Sequence, residues 1–292
     1  MKKKLAFSLG VSSAFSFAGG NVALALRRYM PNADFDIIIS YTHLPKNVIE
    51  AFAKIPNCRL NKFSFPDEFK LEWLSKVPQE GRFRSPDDML TFCRFEAFRF
   101  LNEYENVVAL DADLSIQSDV SSITQYGPFG ITTDAPWTVQ MGFTKPIEGY
   151  DMTMPGVNAA VIALSDKLPY MDIHNWCYRT ALRYANSITT ADQSVLNLML
   201  QEFRITPNLM PLEEWQCIAW RDQASTAKIV HFGTANKVWN TTNIFNAFPE
   251  WYRVHCEWLK LGGGDFDRSK IRVINVLSAL NIIDPSGKQA SA

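Results

Sequence analysis

The sequence predicts an α/β fold in which helices flank a mostly parallel β-sheet. Short apolar runs typical of buried strands alternate with helical patterns up to about residue 115. The strand that ends at Asp111 runs straight into D-x-D, where a strand of such a sheet leaves the core and reaches a ligand crevice. The composition, 47% hydrophobic and 20% charged over 292 residues, is that of a globular protein.

The first predicted elements are a strand over 4–10, a Ser/Gly-rich turn, and a helix over about 20–29. An alternative is a secretory signal, because the basic start MKKK precedes an uncharged run over 5–26. A membrane-spanning helix is disfavoured because four serines, three glycines and Asn21 dilute the apolarity of that run. The strand and helix interpretation is preferred because the following segments continue the same alternation.

The next segments predict a strand over 36–40, a helix over 45–54 that opens on a proline, and a strand over 59–65. Residues 67–84 mix Pro, Gly and charge, which indicates a loop with a short helix. Ser85 as the cap, Pro86 at the first position and Asp88 at the third then predict a helix start. Its apolar stripe continues at helical spacing to residue 101, and the strand that ends at Asp111 follows.

Further elements complete the alternation. The patterns predict strands over 129–133, 157–164 and 228–232, and helices over 170–184, 192–201 and 249–261. We expect one domain over residues 1–262 and a C-terminal extension over 263–292, whose small, polar end over 286–292 is predicted to be disordered.

Charge and cysteine content limit the classes of partner. The net charge is -1, so we expect no nucleic-acid partner and at most peripheral association with a membrane. The five cysteines are scattered and form no C-x-x-C pair, which disfavours a disulfide framework and a thiolate zinc site. This suits a reducing compartment, and we predict a cytoplasmic protein; a secreted or lumenal location is the alternative if the N-terminus is a signal.

D-x-D occurs three times, starting at positions 34, 111 and 265, but only Asp111 and Asp113 follow a buried strand. Two carboxylates there offer hard oxygen ligands to Mg²⁺ or Mn²⁺ and leave positions open for phosphate oxygens. The structural alternative is a turn whose acids face water. Among the four histidines, His231 ends a short apolar run and precedes a Gly/Thr/Asn loop carrying Lys237. An imidazole ligand would favour Mn²⁺, although His231 taken alone is better explained as a structural residue.

Four segments, taken in order, resemble glycosyltransferase family 8, the retaining GT-A enzymes that include bacterial lipooligosaccharide galactosyltransferases and glycogenin. CRFEAFRFLNEYENVVALDADLSI resembles the family's arginine-bearing helix, strand and D-x-D, and PGVNAAVIALS its F-N-A/S-G-V strand. TTADQSVLNLML resembles its D-Q-D-x-L-N helix start, and IVHFGTANKVW its H-x-x-G-x-x-K-P-W. The matches cover most of residues 90–240, and the His-to-Lys spacing is kept. The resemblance implies a single GT-A domain that binds a nucleotide-diphosphate sugar.

The family's roles transfer to the matching residues. Asp111, Asp113 and His231 would hold Mn²⁺ or Mg²⁺, which would bridge the diphosphate of the donor. Lys237 would neutralise the leaving diphosphate. Arg94 would support the phosphates or the donor sugar, and its alternative is a surface arginine with a buried stem.

The sugar would be held by a second group of residues. The resemblance implies Asp192 and Gln193 as catalytic residues, with Asp192 bonding a donor hydroxyl and Gln193 near the anomeric carbon. Asn158 would bond the sugar, Asp134 would touch it, and Ala112 would lie against the ribose through its backbone. The structural alternatives are a turn amide for Asn158 and a helix cap for Asp192.

The sequence departs from the family pattern at several positions. Gly233, expected in the donor-binding loop, sits one position early in its motif, Val238 replaces the usual proline, and Ala160 replaces a glycine. The segment after the first strand, SLGVSSAFSF, lacks the family's acid and tyrosine, so Phe15 or Phe17 is predicted to stack on the base.

The implied reaction is metal-assisted transfer of a hexose from a nucleotide-diphosphate sugar, with UDP-hexose expected, to a hydroxyl of a saccharide or glycolipid. We expect front-face attack with retention, because Gln193 is neutral and a poor nucleophile. One alternative is an inactive or regulatory nucleotide-sugar-binding protein. Another is a sugar nucleotidyltransferase, but that class normally carries a basic residue after the first strand, and none precedes Arg27 in the segment.

Overall fold

The computed structural model describes residues 2–65, 67–77, 83–233 and 235–267. Within the helices and strands, the description does not include the side chains of Asp67, Glu68, Pro86, Asp134, Ala135 and Asn243. The predicted disordered end over 286–292 also lies outside the described residues, as does all of the predicted extension beyond residue 267.

The N-terminal half contains the following elements: β1 (Lys3–Gly10), α1 (Ser16–Tyr29), β2 (Asp36–Tyr41), α2 (Lys46–Ala53), β3 (Cys58–Lys62), α3 (Asp67–Lys76), α4 (Pro86–Met89), α5 (Glu96–Phe100), β4 (Tyr104–Leu110), β5 (Leu114–Ile116) and β6 (Phe129–Thr138). A 3₁₀ helix over Leu90–Phe95 joins α4 to α5, and another over Ser13–Phe15 precedes α1.

The C-terminal half contains these elements: β7 (Pro155–Ser165), α6 (Tyr170–Arg183), α7 (Ala191–Glu202), β8 (Asn208–Leu209), α8 (Leu212–Trp215), β9 (Cys217–Ile218), β10 (Ile229–His231), α9 (Thr242–Ala247) and α10 (Pro249–Lys260). None of the described helices combines the length and the apolarity needed to cross a membrane.

The main sheet has seven strands in the order β3-β2-β1-β4-β7-β6-β8. Strands β3, β2, β1 and β4 run parallel to one another, and β6 runs parallel to β8, whereas β7 runs antiparallel to both β4 and β6. The predicted mostly parallel sheet flanked by helices is therefore confirmed. The sequence did not predict the reversal at β7, because an apolar run has the same pattern in either direction.

A second, three-stranded sheet has the order β5-β10-β9. β5 follows the D-x-D segment directly, and β10 pairs with it antiparallel, so that His231 lies opposite Leu114. This pairing carries a residue from late in the chain to the end of β4. β5 is not predicted by the sequence pattern, because three residues are too short for a period to show.

The core lies on both faces of the main sheet, because successive side chains of a strand point to opposite faces. Phe7 and Leu9 pack with α1, α2 and α10 on one face, and Ala6 packs with α5, α6 and α7 on the other. Both layers hold fully buried tryptophans, Trp258 in the first and Trp73 in the second. The end of β1 is therefore fixed from both sides.

Two predicted helices differ from the structure. α1 starts at Ser16 rather than near Gly20, and its glycines lie inside the helix. They are required by packing: a Cβ on Gly20 would lie 2.4 Å from Cδ2 of Trp258. The helix predicted from residue 85 to 101 is instead α4, a 3₁₀ turn and α5. An apolar stripe over so few turns does not distinguish 3.6 from 3.0 residues per turn.

Residues 263–267, the described start of the predicted extension, pack back onto the domain. The indole N–H of Trp258 donates to the carbonyl of Gly264 at 2.9 Å, and Phe266 is buried against Phe17 and Trp251. The boundary predicted at residue 262 stays a prediction.

Candidate active site

A cleft of about 300 Å³ opens at the edge of the main sheet where β1 and β4 end. Leu9 pairs with Leu110 there, so the loops that follow both strands emerge side by side. Ser12 and Phe15 line the cleft from the first loop, and the D-x-D segment lines it from the second. The location is the one expected for a ligand site in a parallel sheet.

The D-x-D segment is fixed at both of its ends. The Asp111 N–H donates to the carbonyl of Ala160 at 2.9 Å, and the Asp113 carbonyl accepts from the N–H of Phe232 at 3.0 Å. The second bond continues the β5–β10 pairing, and it places His231 beside the two aspartates. The side-chain ligand atoms of Asp111, Asp113 and His231 all lie within 4.8 Å of one another.

The two carboxylates are oriented so that one oxygen of each faces the imidazole. Nε2 of His231 lies 3.7 Å from Oδ2 of Asp111 and 3.5 Å from Oδ1 of Asp113. The other oxygens are bound by basic side chains, Oδ1 of Asp111 by Arg94 and Oδ2 of Asp113 by Lys237. Two hard oxygens and one nitrogen thus converge on one point, and this donor set fits Mn²⁺ or Mg²⁺.

Lys237 and His231 hold Asp113 in its charged form. Burial by itself disfavours the carboxylate, but the hydrogen bond and charge of His231 and the ammonium of Lys237 outweigh it, so the pKa of Asp113 lies well below its usual range. The carboxylate is therefore available as a ligand at neutral pH.

Arg94 lies under the cleft and connects two carboxylates. Its Nε donates to Asp192 and its Nη2 to Asp111, and the side chain is only 10% exposed. Thr91, one turn earlier, donates its hydroxyl to the second oxygen of Asp192. Burial opposes the charge of the guanidinium, but Asp111 and Asp192 outweigh it and raise the pKa of Arg94. The alternative of a surface arginine is wrong.

Asp192 lies at the start of α7 and is buried. Burial raises the pKa of Asp192, and Arg94 and Thr91 offset only part of that effect. Its side chain bonds these two residues across the site instead of capping its own helix, whose N-cap is Thr190. The buried Nη1 of Arg94 has no hydrogen-bonding partner among the described residues, which leaves one donor for a ligand.

Asn158 and Gln193 meet at β7. The side-chain oxygen of Asn158 accepts from the N–H of Ala160 at 3.0 Å, the local bond expected of a turn amide. The side-chain oxygen of Gln193 accepts from the N–H of Ala159 at 3.2 Å. Asn158 in β7 and Gln193 in α7 thus both bind the backbone of the strand that pairs with β4. Their sugar-binding roles stay predictions.

Gly233 lies against the imidazole ring of His231. A Cβ on Gly233 would lie 2.4 Å from Cε1 and 2.7 Å from Nε2 of His231. The backbone thus lies directly against the imidazole ring, an approach that only glycine allows. This contact accounts for a glycine placed one position early in the motif.

The remaining predicted residues are divided between the cleft and the core. Ala112 lines the cleft between the two aspartates. Asp134 lies in β6, but its side chain is outside the described residues. Phe15 is 43% exposed in the cleft, whereas Phe17 is buried against Trp239 and Phe266. Of the two predicted base-stacking residues, only Phe15 is accessible to a ligand.

Sequence reasoning missed Thr91 and Asp87, which also line the cleft. Thr91 precedes Arg94 by three residues, a spacing that places both on one face of a helical segment. That signal was present in the sequence, but a lone threonine among apolar residues gave no reason to single it out.

Comparison with solved structures shows the same fold at low sequence identity. The galactosyltransferase LgtC, solved with donor and acceptor sugar analogues, matches with a TM-score of 0.64 and 11% identity over 88% of this chain and 99% of its own. The bifunctional glycosyltransferase WbbM matches with a TM-score of 0.59 and 16% identity, over 89% of this chain and 52% of its own. GlyE of Streptococcus pneumoniae TIGR4 matches with a TM-score of 0.55 and 14% identity, over 88% of this chain and 64% of its own.

The fold is therefore that of the GT-A glycosyltransferases. At the level of sequence, no curated protein gives a significant match. The family model named glycosyl transferase family 8 matches residues 7–243. The chain belongs to this family and is a glycosyltransferase.

Proposed function

We propose that this enzyme transfers a hexose from a UDP-sugar to a hydroxyl of a saccharide or glycolipid, with a divalent metal ion and with retention of configuration. The observation that carries the proposal is the convergence of one oxygen of Asp111, one oxygen of Asp113 and Nε2 of His231. Each carboxylate keeps its second oxygen on a basic side chain, which fixes the orientation of the first.

The cation would be held by these three side chains. When bound, Mn²⁺ or Mg²⁺ supplies a Lewis acid for the diphosphate of the donor. The buried imidazole favours Mn²⁺ of the two, because nitrogen ligands suit the softer ion better. The loop after β10 supports this assignment, because the contact of Gly233 with the ring holds His231 in place.

The chain's own cations would stabilise the charge of the departing diphosphate. Breakage of the bond between C1 and the phosphate oxygen leaves negative charge on the phosphate. Lys237 and Arg94 lie on either side of the aspartates and are held in position by them before any donor binds. Preorganised charge of this kind lowers the barrier because it needs no rearrangement during the reaction.

The contacts of Asp192 and Gln193 favour front-face attack. Both oxygens of Asp192 are engaged, by Thr91 and Arg94, and Gln193 is a neutral amide. Neither is suited to form a covalent glycosyl intermediate, so the acceptor hydroxyl would attack directly and the leaving phosphate would take its proton. One similar structure is described as an active-site variant of LgtC with a glutamine replaced by glutamate. Trapping of a glycosyl-enzyme in this protein would contradict our proposal.

The metal-dependent part can be tested with a panel of nucleotide sugars. We expect release of UDP from a UDP-hexose in the presence of Mn²⁺ and its loss with a chelator. Asp113→Ala should lower turnover by about 100-fold or more, since it removes a metal ligand and an anchor of Lys237. Asp34→Ala is a matched control, because Asp34 is an exposed aspartate of another D-x-D ahead of β2. Equal turnover in both variants would remove the metal from the proposal.

A further inference from the structure

The cleft has an aromatic surface beside the metal site that the proposed chemistry does not use. Phe15 is exposed there, and its ring is held edge-on by Trp239 with centroids 6.0 Å apart. An exposed ring that its neighbours hold in place suits contact with a flat aromatic ligand. The segment that carries it, residues 8–17, contains no charged residue, so it offers a nucleobase no charged hydrogen-bonding group.

A carboxylate lines the same cleft as Phe15. Asp87, in α4, lines the cleft and is exposed. Its carbonyl accepts from the N–H of Leu90, and the carbonyl of Leu90 lies 3.5 Å from where a Cβ of Gly10 would be. The 3₁₀ turn is therefore packed on the end of β1, and α4, which leads into that turn, brings Asp87 to the cleft that Phe15 also lines.

Asp87 differs from the other acids nearby in having no partner among the described residues. Its neighbour Asp88 accepts from the Ser85 hydroxyl at 2.7 Å and donates its backbone N–H to the same oxygen at 3.0 Å. Asp111 and Asp113 are each bound to a basic side chain. Of the acids that line the cleft, only Asp87 is left to accept a hydrogen bond from a ligand within the described part of the chain.

We propose that Asp87 determines the nucleobase of the donor by accepting a hydrogen bond from the N3–H of uracil, while Phe15 contacts the ring. A carboxylate only accepts hydrogen bonds. Uracil presents a donor at N3, whereas cytosine has an acceptor there and donates only from its exocyclic N4 amine, so a carboxylate positioned at N3 favours uracil. This inference rests on the proposed function, because it concerns the base of the same donor.

The test compares UDP and CDP, which differ only at this edge of the pyrimidine. With the full chain and Mn²⁺, we expect calorimetry to show UDP binding about tenfold more tightly than CDP. Asp87→Ala and Asp87→Asn should bring this ratio close to one, because alanine removes the acceptor and the asparagine amide serves either base. Asp88→Asn removes the same charge one residue away and should leave the ratio unchanged.

The outcomes separate the two proposals. A wild-type protein that binds neither nucleotide with Mn²⁺ overturns the proposed function, and this inference with it. A wild-type protein that binds UDP but keeps its UDP-to-CDP ratio in both Asp87 variants overturns the inference alone. The same follows if wild type binds both nucleotides equally, or if Asp88→Asn changes the ratio as much as Asp87→Asn. Because Asp87 is exposed, the melting temperatures of its variants should match that of the wild type.

Discussion

Two clusters of charged side chains meet in the cleft, and they differ in how many carboxylates each cation binds. In the Arg94 network (Thr91, Arg94, Asp111, Asp192), one cation serves two carboxylates. In the His231 cluster (Asp113, His231, Lys237), Lys237 binds Asp113 alone, and the imidazole of His231 faces both Asp113 and Asp111.

The difference shows in the pKa values of Asp192 and Asp113. Burial raises the pKa of Asp192, and Arg94, which also binds Asp111, offsets only part of that effect, whereas His231 and Lys237 outweigh burial and lower the pKa of Asp113. The comparison indicates that the Arg94 network depends on its single cation for stability. The His231 cluster pairs one cation, Lys237, with one carboxylate, and the imidazole of His231 faces that carboxylate.

The largest expected effect is that of Arg94→Met. It would leave the buried Asp192 without its cation, so we expect the free energy of unfolding to fall by about 3–5 kcal/mol. Urea denaturation at neutral pH measures this change. The double variant Arg94→Met/Asp192→Asn should recover much of the loss, since the uncompensated charge is then gone. An Arg94→Met variant as stable as the wild type would contradict the dependence of this network on its single cation.

A smaller effect is expected for Gly233→Ala, which acts on the His231 cluster. The added Cβ would displace the imidazole, so Mn²⁺ should bind about tenfold more weakly, as is usual when support of a metal ligand is lost. Titration with Mn²⁺ measures the affinity. Gly264→Ala is the control, because its Cβ would meet only ordinary contacts, the nearest at 3.4 Å. Unchanged affinity in Gly233→Ala would contradict a role for His231 as ligand.

A smaller effect on stability than that of Arg94→Met is expected for Thr91→Val, an isosteric change that removes the hydroxyl donor to Asp192 but keeps Arg94. The loss of one hydrogen bond to a charged group should cost about 1.5–3 kcal/mol of unfolding free energy, below the loss in Arg94→Met. Thr91→Ser retains the donor and should stay close to wild type. If Thr91→Val were as damaging as Arg94→Met, the network would not depend mainly on its cation.

Much of the fold and part of the site could be predicted from the sequence. The strands that end at Gly10 and Asp111 were visible as apolar runs, because strands buried on both faces are continuously apolar. The convergence of Asp111, Asp113 and His231 was expected from the resemblance to the family. The ion pair between Arg94 and Asp192 was not expected. These residues are far apart in the sequence, and only the packing of α7 against the 3₁₀ turn brings them together.

Local chemistry in the sequence determined the strands, the helix caps and the kinds of group that the chain brings to its cleft. Only the tertiary structure decided which of those groups form ion pairs and which oxygen of each aspartate is left for a ligand. It also decided that the acid on the cleft wall is Asp87 rather than a residue of the segment after β1. The physical reason is that propensity and periodicity act over a few residues. Hydrogen bonds between side chains depend on distances that exist only after the sheet has assembled.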